Sequence, residues 1–144
     1  MDPSTNDIVT HRRNRLQSSK AVIFGLLAVI VLSLATDQVL HMLNVYPPWG
    51  QPMYDPALNL LALAYRIVYG IIGGYIAARF APHSPMRHAL VLGIIGLVLG
   101  TLGAIGAIAK GDMGPSWYPI LLALTAVPTA WLGSLLYTRK QPPQ

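Results

Sequence analysis

Ser33, Asp37, His41 and Asn44 are spaced four, four and three residues apart. On a helix that spacing lines them along one polar stripe. Asp37 and His41 place a carboxylate and an imidazole one turn apart, a pair able to exchange protons or to share a metal ion. A metal site needs three or four ligands. Asp55 is the one other carboxylate close by on that side of the membrane, so no metal ligand set is assigned. No Ser/His/Asp order, nucleophile motif or phosphate-cradling loop accompanies the stripe. No catalytic residue is therefore assigned, and the chain reads as a non-enzyme without a cofactor.

A second charge answers the first. Arg66 stands inside another apolar stretch, with Asn59 seven residues earlier on the same helical face and Tyr65 and Tyr69 flanking it. Counted from the ends of their spans, Asp37 and Arg66 lie at similar depth, ~12–14 Å at 1.5 Å per residue. Asn59 is expected to meet Asn44 or His41 nearer the surface. The sequence allows four uses of this cluster. One is an ion pair that fixes how two helices dock. Another is a transport or ligand site in a water-filled pocket, where Asp37 and His41 exchange protons and Arg66 holds an anion or tunes Asp37. A third is catalysis, for which no motif is present, and the last is an accessory role as a subunit or sensor.

The elements that must position these groups are apolar spans. The chain has 144 residues, 53% of them hydrophobic and 10% charged, against about 25% charged in soluble domains. Four stretches, roughly 21–45, 57–80, 86–109 and 117–138, each approach the ~20 residues that cross a bilayer. The expected fold is all-α, a bundle of four transmembrane helices, between a flexible tail over 1–20 and a short one over 139–144. There is no cysteine, and the five acidic residues are all aspartates.

The net charge of +5 does not point to nucleic acid, because the basic residues flank the spans. Arg12, Arg13, Arg15, Lys20, Arg79, Arg87, Arg139 and Lys140 fall on one side and Lys110 on the other. The positive-inside rule then places both termini in the cytoplasm, in a cell inner membrane. Tyr46, Trp49, Tyr54, Trp117 and Tyr118 fit an interfacial aromatic belt. His83 and His88, five apart, read as part of a basic loop near anionic headgroups. A competing reading takes Arg12–Lys20, the apolar core and "SLA" before Thr36 as a cleaved signal peptide. The apolar run that resumes at Val39 favours a continuous helix instead.

Helix starts are legible at Asp55-Pro56, Ser84-Pro85 and Ser116. Span three carries Gly93, Gly96, Gly100 and Gly103 on one stripe, span two carries Gly70, Gly73 and Gly74, and span four carries Ala123, Ala126, Ala130 and Gly133. Small residues let helix backbones approach in lipid, so these stripes are expected to pack spans two, three and four together, or to form a dimer face. Pro128 is expected to kink span four.

The stretches "YRIVYGIIGGYIAARFAP" and "HALVLGIIGLVLGTLGA" resemble small four-span proteins of bacterial inner membranes. That resemblance carries no activity or site residues with it. In size and span number the chain is also similar to small multidrug exporters. Those are built around a glutamate in the first span, for which Asp37 is an imperfect substitute. The expected partners are the lipid bilayer and a second copy of the chain or another membrane protein.

Overall fold

The computed structural model describes residues 3–111 and 114–141, with side chains from Leu16 onward. Among them are four helices and no strand: α1 (Pro3–Met42), α2 (Pro56–Phe80), α3 (Pro85–Lys110) and α4 (Trp117–Arg139). Each contains a stretch of 23 to 27 residues long and apolar enough to cross a membrane, the first being Leu16–Met42. The chain is a multi-pass membrane protein. Helical backbone begins at Pro3, within the segment read from the sequence as a flexible tail. The side chains of Arg12, Arg13 and Arg15 lie outside the described ones.

The core is made of small residues. Ala62, Ala77, Ala78, Ala89, Ala123 and Ala130 are buried, while Ile23, Val31, Leu60, Leu102 and Leu124 are exposed. In water such a surface would be an aggregation hazard. Against hydrocarbon it costs nothing, and helix contact is left to close backbone packing.

The glycine stripes do this packing where they meet α4. A Cβ at Gly93 would lie 2.9 Å from Val127 Cα, one at Gly96 3.2 Å from Ala126 Cβ, and one at Gly100 3.1 Å from Ala123 Cα. In α2, a Cβ at Gly70 would lie 2.5 Å from Thr129 Oγ1, and one at Gly74 would run into the Ala130 carbonyl oxygen. Gly133 sits equally hard against Ile71 O and the Tyr75 amide. Gly103 departs from the expectation, since nothing lies within 4 Å of a Cβ built there. Gly103 is exposed and its neighbour Ala104 is buried instead, so periodicity alone misplaces the contact face here. Gly25 of α1 was not singled out from the sequence, yet it meets Gly73 O at 2.7 Å by the same measure.

Helix α4 packs on both α2 and α3. Helix α1 packs along α2, touches α3 sparsely and does not touch α4 among the described residues. α4 runs unbroken through Pro128, whose ring faces outward.

The helix ends show where local signals were read correctly. The Asp55 carboxylate accepts from the Ala57 amide at 2.8 Å, with Pro56 at the first helical position, as an N-cap should. Ser84 and Ser116 make no such bond. Ser84 has φ 44° and offers its carbonyl oxygen to the Arg87 amide and to His88 Nδ1. His88 is buried by this contact and stacks edge-on with His83, so only His83 fits the reading of a solvated loop. Gly111 closes α3 at φ 74°, its amide reaching Ala107 O and Ile108 O, in a conformation that glycine adopts without steric cost.

Helix α1 stops earlier than its apolar run suggests. Asn44 has φ 56°, its amide binds His41 O, and the Val45 amide reaches back to Leu40 O. These are the two hydrogen bonds of a Schellman stop with asparagine in the left-handed position. Asn44 is therefore the terminator of the helix and not the last member of a polar stripe.

Candidate functional site

Asp37 lies five residues before the end of α1 and Arg66 ten residues after the start of α2. At 1.5 Å per residue that is about 8 Å and about 15 Å, so the Cα depths do not match as the sequence count suggested. The arginine side chain makes up the difference. Helical side chains lean toward their own N-terminus, and the N-terminus of α2 is at the same end of the bundle as the C-terminus of α1. Arg66 therefore reaches outward, its Nη1 passing Ala62 O at 3.4 Å, and its Nη2 donates to Asp37 Oδ2 at 2.6 Å.

Both groups are withdrawn from the surface, with side chains 20% and 11% exposed for Arg66 and Asp37. A pair at this depth holds its charges only while each compensates the other.

Tyrosines complete the cluster. The Tyr65 hydroxyl donates to Asp37 Oδ1 and accepts from Arg66 Nη1 at 2.8 Å. The Tyr46 hydroxyl lies within hydrogen-bond reach of Tyr65 Oη at 3.3 Å and of Leu58 O at 3.4 Å. Tyr46 sits in the loop after α1, is 6% exposed, and burial pushes its hydroxyl up from the usual tyrosine value. It stays protonated and able to donate at neutral pH. One turn deeper, Thr36 Oγ1 and Tyr69 Oη share a 2.7 Å bond. One network thus ties α1, the first loop and α2 together.

The remaining residues picked from the sequence do not join it. The His41 ring stacks on Trp49 with centroids 4.0 Å apart and stands edge-on to Tyr46. Its Nδ1 is buried and has no hydrogen-bond partner among the described residues. Asn59 meets neither Asn44 nor His41. Its side-chain amide donates to Met53 O and Asp55 O, both at 2.8 Å, and pins the loop to the start of α2. Ser33 lies deeper, beside a cavity of about 320 Å³ that also reaches Asp37 and Arg66.

Sequence reasoning placed Tyr46 in an interfacial belt and Tyr65 as a mere flank. Donor arithmetic was the available signal. A buried carboxylate has two oxygens to satisfy, and an arginine at one of them leaves the other for the hydroxyl beside it. Among the described residues no three His or Asp side chains cluster as a metal site.

No family model matches the chain, and no solved structure matches it. The chain is similar to a probable ABC transporter permease protein, YqgH, of Bacillus subtilis (strain 168), with 31% identity over 106 residues. The match covers 65% of this chain and 34% of that protein, so this chain corresponds to about a third of its relative's length.

Proposed function

We propose that this chain is a small, non-catalytic membrane subunit that works through helix packing inside a larger assembly. The observation that carries the reading is the charge-balanced Asp37–Arg66 pair. Its carboxylate oxygens are taken by Tyr65 and Arg66, so the cluster docks helices and leaves no free acid or base. What the chain presents outward is hydrocarbon, above all on α1, where only about a tenth of the span is buried. The likeness to part of a protein described as a permease supports a transport-related assembly.

A second reading is an oligomeric proton- or anion-linked transporter using Asp37, His41 and Arg66. The cavity that reaches the pair favours it, as does the unpartnered His41 Nδ1. One experiment separates the two. The tagged chain, released from its native membrane in mild detergent, is expected to run on a native gel in one complex with other membrane polypeptides. A complex built only of copies of this chain points to the transporter, and a free monomer removes both readings.

The same proposal sets both termini in the cytoplasm of an inner membrane, on the strength of the basic residues around α1, the 81–84 link and the end of α4. Reporter fusions at Gln144 and within the 47–55 loop are expected to give opposite signals. Equal signals would overturn the four-span threading.

A further inference from the structure

Because α1 leans on α2 and does not reach α4, a cleft stays open between them. It is walled by Leu26, Val29 and Ile30 on α1 and by Leu122 and Thr125 on α4, and Asp37 and Arg66 stand at one end. From Leu26 to Asp37 it runs about 16 Å along α1, close to half of a ~30 Å hydrocarbon core. Its volume of about 320 Å³ is room for about ten groups the size of a water molecule. That is the space of the upper part of one lipid tail and not of two.

Hydrogen-bond capacity and charge select the head that such a chain carries. A guanidinium has five N–H donors. The described hydrogen bonds of Arg66 go to Tyr65, Ala62 and Asp37. Two of the five donors thus have no described partner, and Arg66 lines the cleft. Asp37 already cancels the arginine charge, so an anionic head would bring an uncompensated charge into hydrocarbon. A neutral acceptor satisfies a donor without adding charge.

We infer that the cleft holds one acyl chain of a bilayer lipid, entering from the leaflet on the side of the 43–55 loop, with its ester carbonyl oxygen accepting from Arg66. This is independent of the subunit reading, since the site can fail to bind lipid while the assembly persists.

The full chain, purified in detergent, would be titrated with phosphatidylcholine carrying a photoactivatable diazirine in one ester-linked tail, and the adducts mapped by mass spectrometry. Labelling at Ile30 and Thr125 is expected to saturate, while that at the outward-facing Leu102 and Ile105 rises in proportion to probe. Ser33→Phe fills the cleft and leaves the ion pair alone. It is expected to lower cleft labelling about tenfold, the factor that ~1.4 kcal/mol brings, and to leave Leu102 and Ile105 unchanged. Unlabelled ester-linked phosphatidylcholine should displace the probe better than its ether-linked analogue. The wild-type chain alone decides this last comparison if Ser33→Phe does not fold. Non-saturating labelling in the cleft overturns the site. Equal competition by ester and ether lipids, or displacement by oleate but not by the diester, overturns the assigned head.

Discussion

Asp37→Asn is expected to destabilise the protein by ~3–5 kcal/mol, because Arg66 is left charged, withdrawn from water and without a counter-charge. Arg66→Gln should cost a similar amount by orphaning Asp37, whose second partner, Tyr65, is neutral. The double substitution should recover much of the loss, since no lone charge remains. Unfolding of all four proteins in one detergent gives the coupling energy directly. Strictly additive losses would mean that the 2.6 Å contact contributes nothing to the fold. A stable double mutant that loses a cellular phenotype would shift the pair from structure to function, in favour of the transporter reading.

Adding a single methyl group at Gly133 is expected to have the next largest effect. A Cβ there would be driven into Ile71 O and the Tyr75 amide, both backbone atoms of α2 that no rotamer change can move. Gly133→Ala must therefore push α2 and α4 apart, and Gly74→Val must do so from the other side, where Ala130 O stands. Overpacking of this kind costs ~1–3 kcal/mol, occasionally more. Gly103→Leu is the control, since open space surrounds that position, and it should stay within ~0.5 kcal/mol of wild type. Thermal unfolding in detergent ranks the three. A melting temperature for Gly133→Ala equal to that of Gly103→Leu would overturn the α2–α4 packing.

The four helices were legible in the sequence because a membrane span is a matter of length and polarity, and little else competes with it. The Asp37–Arg66 pair was legible for a related reason, as two lone charges inside neighbouring spans have few other solutions. Asn44 was misread because a 4-4-3 spacing is compatible both with a helix that continues and with one that ends in a left-handed residue. Pro47 and Pro48 just beyond it were the cue, since proline is common after such stops. Gly103 was misread because a stripe gives the face of a helix only approximately, and the buried position there is Ala104. The place of Tyr46 depended on the path of the first loop, which no local pattern encodes.

The pairing of Asp37 with Arg66 across the first hairpin also bears on how the chain enters the membrane during synthesis. Arg66 lies in α2, which emerges from the ribosome after α1. Passed alone into lipid, that span carries a charge that insertion scales penalise by ~2.5–3.5 kcal/mol at a helix centre. The penalty is relieved only if α1 is still beside the insertion machinery when α2 arrives. The ion pair therefore makes α1 and α2 one unit of biogenesis, delivered to the bilayer together. α3 has no Asp, Glu, Arg or Lys between Arg87 and Lys110, and α4 has none before Arg139, so each can follow on its own.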